Sequence, residues 1–106
     1  MATGLLGQAA LAAATNTTLY TVPAGTFTVL GLSLCNRGTT AVSVRVSLAN
    51  SGTPTNAEYI EYDVQIGANG VLERTGIMMN ATKNLVVYAS NANVSASAFG
   101  IETSTT

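Results

Sequence analysis

Three carboxylates, Glu58, Glu61 and Asp63, stand close together in a chain of 106 residues. Glu61 and Asp63 lie two positions apart in an alternating run, so a strand would project both from one face, about 6.5 to 7 Å apart. That separation suits the paired acid and base of glycoside hydrolysis, or a shared cation. The rest of the chain argues against both. There is no histidine, which removes the usual general base and metal ligand, and no tryptophan to line a sugar cleft. The carboxylates therefore read as a solvated outer face with Arg45 or Arg74 as cross-strand partner.

No other residue set does better. A serine or cysteine triad cannot be assembled without histidine. There is no Gly-rich phosphate cradle, no paired Cys/His spacing for zinc and no calcium-loop signature. The expectation is a protein that is not an enzyme, with no catalytic residue, no metal site and no cofactor. Cys35 is the only cysteine, so an intrachain disulfide is impossible, and within its apolar run it reads as a small buried hydrophobe. Tyr20, Tyr59, Tyr62 and Tyr88 read as half-buried packing residues. Met78-Met79 is either core filler or an adaptable contact patch. The Asn-X-Ser/Thr patterns at Asn16, Asn80 and Asn93 are explained as turn residues.

The elements that position these residues are short β-branched or aromatic runs separated by turn signals, the spacing of a sandwich or barrel. Thr18 to Val22 reads as a strand ended by Pro23-Ala24-Gly25. Phe27 to Cys35 follows, near-continuously apolar at Val29-Leu30-Gly31-Leu32, so it should lie centrally and be covered on both faces. Ala41 to Leu48 alternates, with Val42, Val44, Val46 and Leu48 inward. Asn50 to Ala57, with Gly52 and Pro54, is the longest irregular connection and the expected crossing between sheets. Glu58 to Ile66 alternates again. Asn69-Gly70 then signals a hairpin that returns Val71 to Met79 onto it, with Gly76 marking a bulge. Leu85 to Ala89 and Val94 to Ile101 complete seven strands. The predicted fold is all-β, an antiparallel sandwich of jelly-roll or Ig-like type spanning residues 17–106.

Residues 1–16 stand outside that pattern. They are rich in Ala and Gly, and only 8–14 have any helical character. A segment of this kind builds no core of its own. The reading is an N-terminal arm whose Leu5, Leu6, Gln8 and Leu11 dock on another subunit. The closing Thr103-Ser104-Thr105-Thr106 is expected to fray.

Composition narrows the function. Charged residues are 8% of the chain, against about 25% for an ordinary domain. A surface of Thr, Ser, Asn, Gly and Ala is easier to desolvate against a partner than one of Lys and Glu. The net charge is −1 and the four cations are scattered, so no basic stripe is available for a phosphate backbone and nucleic-acid binding is not expected. No run approaches the 18 or so apolar residues of a membrane span, and Gly4 to Ala14 has no basic flank before it, so neither signal peptide nor membrane anchor is expected.

Five pieces of the chain, in order, carry a likeness: Gly7-Gln8-Ala9, then Thr18-Leu19-Tyr20-Thr21-Val22-Pro23-Ala24, then Leu34-Cys35-Asn36-Arg37-Gly38, then Tyr62-Asp63, then Ala98-Phe99-Gly100. Together they resemble a family of small virion structural proteins of tailed bacteriophages. The resemblance implies a particle component of β-sandwich type, without catalytic residues, assembled in the host cytoplasm and located on the virion. A capsid decoration or cement protein is the first role considered, homo-oligomeric with a trimer favoured, contacting the major capsid protein or another virion protein. A tail, baseplate or fibre module is the second. A carbohydrate-binding module is a third, from a different class.

Overall fold

A computed structural model describes residues 3–105. Eight strands form: β1 Thr3–Ala10, β2 Thr17–Thr21, β3 Thr26–Asn36, β4 Val42–Ala49, β5 Tyr59–Ile66, β6 Val71–Met79, β7 Asn84–Ala89 and β8 Val94–Ser104, with one short 3₁₀ turn at Asn56–Glu58. They pair antiparallel in two four-stranded sheets. The order is β1-β8-β3-β6 in what is here the front sheet and β2-β7-β4-β5 in the back sheet.

The two sheets close on one apolar core. Val42, Val44 and Val46 of β4 are at most 1% exposed, and they meet Leu30, Leu32 and Leu34 of β3 and Val94, Ala96 and Ala98 of β8 in a single cluster. These sets are spaced by two, as a half-buried pleat requires. The alternation expected of β4 is present, and β3 is central in its sheet.

The connections differ from the sequence reading. Residues 50–58 do not cross between sheets; they join β4 to β5, which are paired neighbours. Each of the other six connections changes sheet. Thus Asn69-Gly70 makes no hairpin: β5 pairs with β4, while β6 pairs with β3 on the other sheet. Local turn chemistry is satisfied all the same, since Gly70 N–H donates to Gly67 O (2.9 Å) and Asn69 takes φ 57°. A tight turn reverses the chain whether its flanks pair side by side or lie across the core, so Asn-Gly alone does not choose.

The N-terminal arm is also corrected. Thr3–Ala10 is a strand of the same sandwich, paired with β8, and no part of 8–14 is helical. Ala and Gly make weak strand formers, but β8 offers a long free ladder, and its backbone bonds compensate. At the other terminus, β8 runs to Ser104 and Thr105 N–H donates to Gly25 O (3.0 Å), so the frayed end is not found up to that point. Thr106 lies outside the described residues.

Irregularity is confined to the edges. The central ladders β3·β8 and β4·β7 run without a register shift. Each of the four edge strands carries a bulge: at Leu6 in β1, Leu19 in β2, Thr75-Gly76 in β6, and both Ile60 and Tyr62-Asp63 in β5. Gly76 is at φ 73°, the left-handed conformation that only glycine enters freely. The bulge expected there is present.

Candidate interaction surfaces

The bulges in β5 separate the carboxylates. Glu61 pairs with inward-facing Val46, and its side chain reaches across the sandwich edge to Arg74 of the front sheet (2.5 Å). Two residues on, the bulge at Tyr62-Asp63, with Asp63 at φ 53°, turns the next carboxylate to the outer face of the back sheet, where Arg45 holds it at 2.6 Å. Each acid has its own arginine, so the two do not converge on a substrate or an ion. Glu58 is elsewhere again. Its oxygens accept the backbone N–H groups of Thr55 (2.8 Å) and Asn50 (3.0 Å), and these bonds hold its carboxyl below the usual pKa. It staples the β4–β5 loop. Among the described residues no group of three or more His, Cys, Asp or Glu is placed to hold a metal.

On the back sheet's outer face Arg45 organises an aromatic cluster. Its guanidinium lies 4.4 Å from the Tyr62 ring centroid and 4.6 Å from that of Tyr88, while Tyr59 meets Tyr62 edge-on at 4.9 Å. The Asp63 hydrogen bond raises the pKa of Arg45 further. Both flanking tyrosines thus offer one ring face to the cation. Beside this cluster Ser47 and Val86 also face outward by register, yet each is 1% exposed. The β4–β5 loop folds over them: a Cβ on Gly52 would stand 3.6 Å from Thr18 Oγ1 on β2. Much of the back face is thus covered by its own chain, with Tyr62 its one large apolar residue left exposed, at 57%, among the described residues.

The front sheet's outer face is not. Register places Ile101, Val29 and Met78 in one cross-strand row on β8, β3 and β6, with Leu5 opposite Phe99 in the row beside it. These five are 56%, 40%, 68%, 58% and 37% exposed. Phe99 lies flat across the neighbouring strand, because Gly31 leaves the space: a Cβ there would fall 2.7 Å from its ring. The strand β3, expected to be covered on both faces, is covered on one. Its polar alternates Thr26 and Thr28 are the buried ones, at 5% and 0%. Cys35 also faces outward, opposite Ser95 and Val71, and is only half-buried, which corrects the core position expected for it. Further along the face the side chains are mostly small and polar, apart from Val71 at 54% exposed, with a shallow depression of about 380 Å³ lined by Gln8, Ala9, Ala10, Ser95, Ala96 and Ser97. No charged group lines it.

The four residues read as arm contacts divide. Leu5 is on the exposed front face, and Gln8 is exposed beside it, with Nε2 donating to Ser97 Oγ (3.4 Å). Leu6, at the bulge, packs against the margin of the core. Leu11 is 2% exposed and its N–H donates to Val94 O (2.9 Å), so its partner is this chain's own core. The sequence reading missed Val29, Phe99 and Ile101 as surface residues. Nothing in an apolar run such as Val-Leu-Gly-Leu states which alternate residue faces out.

Two polar ties hold the faces in place. Asn36, fully buried, donates from Nδ2 to the carbonyls of Thr40 (2.8 Å), Ile66 (3.1 Å) and Gly67 (3.1 Å) and accepts from Gly38 N–H (2.9 Å). It joins the β3–β4 and β5–β6 connections at one end of the sandwich. Tyr20 of the back sheet bonds Thr28 Oγ1 (2.8 Å) and donates to the Glu102 carboxylate, both on the front sheet. Burial and the adjoining carboxylate push its pKa up to about 12.

Neither a family model, nor a curated protein, nor a solved structure matches this chain.

Proposed function

We propose that this protein is a non-enzymatic structural subunit of a tailed-phage particle, homo-oligomeric, and placed on the capsid surface as a decoration or cement protein. The observation that carries the assembly part is the uncovered apolar end of the front face, on a chain whose remaining surface is nearly free of charge. An exposed apolar patch on a small domain marks a contact surface, and a neutral rim lowers the desolvation cost around it. Cementing needs complementary area and repetition rather than a reactive site. The particle assignment rests on the ordered sequence pieces that resemble phage virion proteins.

We assign the sandwich to the jelly-roll type. Eight strands in two sheets of four, with six of seven connections crossing between sheets, support it; jelly rolls are built this way and serve widely in capsids. An Ig-like domain of seven strands splits four and three. A sugar-binding role finds less support, because Arg45 occupies one ring face of each of Tyr62 and Tyr88 and Tyr59 meets Tyr62 edge-on, which leaves no flat aromatic platform of several rings.

The test is quantitative mass spectrometry of purified virions. Hundreds of copies per particle are expected for a head cement. Tens or fewer would move the protein to the tail or baseplate, and absence from particles would overturn the virion reading.

A further inference from the structure

We propose that the apolar end of the front sheet's outer face is a self-association surface, occupied by the same face of a second copy of this chain. The inference deepens the assembly reading and rests on it. Its starting point is the pair of rows formed by Ile101, Val29 and Met78 and by Leu5 and Phe99. They span all four strands of the sheet without a break. Register puts one charged side chain, Glu73, on that face among the described residues, opposite Ser33, four positions along β3 from Val29 and so about 13 Å away.

The other route by which β proteins associate is blunted. An edge that adds a strand must be regular over several residues. All four edges here are interrupted by bulges, so a partner is met by a face. Of the two faces, the back one exposes a single large apolar residue among the described residues, Tyr62, whose ring is engaged by Arg45 and Tyr59, whereas the front one exposes a contiguous set.

Charge and area identify the occupant. A partner with a charged contact surface would find nothing on this end to pair with and would leave its own charges desolvated. A second copy brings none there, and a net charge of −1 sets up almost no repulsion between copies. A two-fold axis lying between the two faces and parallel to the strands lays apolar end on apolar end and sends the two Glu73 carboxylates, each on edge strand β6, to opposite edges. Four strands about 4.8 Å apart and some ten residues long give a face on the order of 600 Å² before side-chain relief, near the roughly 800 Å² per partner of a stable interface. Such an isologous contact closes on itself as a dimer, with the sheets about 10 Å apart.

The experiment is sedimentation equilibrium of the full chain from about 1 to 200 μM, run on the wild type, on Met78→Glu/Ile101→Glu, and on Gln65→Glu, an exposed back-sheet position. The wild type and Gln65→Glu are expected to pass from monomer to dimer, and the double variant to weaken association at least about 100-fold while keeping its circular dichroism spectrum. Met78→Glu alone, at the most exposed of the five sites, replaces the double variant if the latter fails to fold. A wild type that stays monomeric throughout overturns the proposal, as does association that survives the substitutions. A monomer found on particles would sink the face pairing and spare the virion reading; a dimer through this face that never joins particles would do the reverse.

Discussion

The two outer faces of this sandwich are built from the same strand pattern and end up opposite in character. On the back face a cation, two tyrosine rings and a folded-over loop cover most of what the pleat turns outward, and Tyr62 is its one exposed large apolar residue among the described residues. On the front face Val29, Met78 and Ile101 stand bare, and Gly31 lowers the surface so that Phe99 lies across it. The difference lies in the connections. The one long loop, residues 50–58, joins neighbouring strands of the back sheet and has length to spare for folding over it. Every link to or from a front-sheet strand crosses to the other sheet, so among the described residues no connection is free to shield its outer side. Shielding one face internally ties its residues to stability; leaving the other bare ties its residues to association.

That contrast can be broken outright by emptying the core that both faces share. Leu34→Ala removes a fully buried side chain and is expected to lower unfolding free energy by about 2 to 5 kcal/mol, read by chemical denaturation. A midpoint near that of the wild type would mean the sheets do not depend on one core. Asn36→Ala is the next largest effect. It strands the carbonyls that Nδ2 now satisfies, so a loss of about 1 to 3 kcal/mol is expected, with faster amide exchange at Asn69 and Gly70.

The tie between sheets is tested by pH. The Tyr20 phenol titrates near 12 in the folded chain against 10.0 when free. A folded pKa above the unfolded one stabilises fully below pH 10, and the contribution fades as pH rises through 12. Relative to Tyr20→Phe, the wild type should lose on the order of 2 kcal/mol across that window; parallel curves would disprove the linkage. Glu58 works in the opposite sense. Its folded pKa is depressed below 4.5, so its contribution is present above pH 4.5 and lost as pH falls through the folded value. Glu58→Gln should speed amide exchange at Asn50 and Thr55 near neutrality and converge with the wild type in acid.

The smallest effects sharpen the comparison most directly. Arg45→Ala on the back face removes an ion pair and two ring contacts, and a small but measurable drop in the denaturation midpoint is expected. Met78→Ser on the front face should change the stability of the monomer by less than about 0.5 kcal/mol. Equal costs at the two positions would mean that the faces are not differently protected.

Much of this was legible from local pattern. The spacing of Val42, Val44 and Val46 marked their strand and its inner face, the glycine at 76 marked a bulge, and Arg45 and Arg74 were named as carboxylate partners before either was placed. The pairing of Arg74 was less readable, since it comes from the facing sheet, not from a neighbouring strand. Residues 3–10 were harder still. Their composition signals no strand, and only the free ladder of β8 supplies the backbone partners that make one. For the same reason Leu11 looked like a contact for another subunit.

The sequence by itself determined that this is an all-β chain with no histidine, hardly any charge and strands of the observed periodicity, because alternation and turn chemistry act within a few residues. The tertiary structure alone decided which strands pair, which face of β3 meets the core and which is left open. An apolar run satisfies either face equally well. The choice falls to long-range register, and here that register buries Thr28 and Asn36 and leaves Val29 outside.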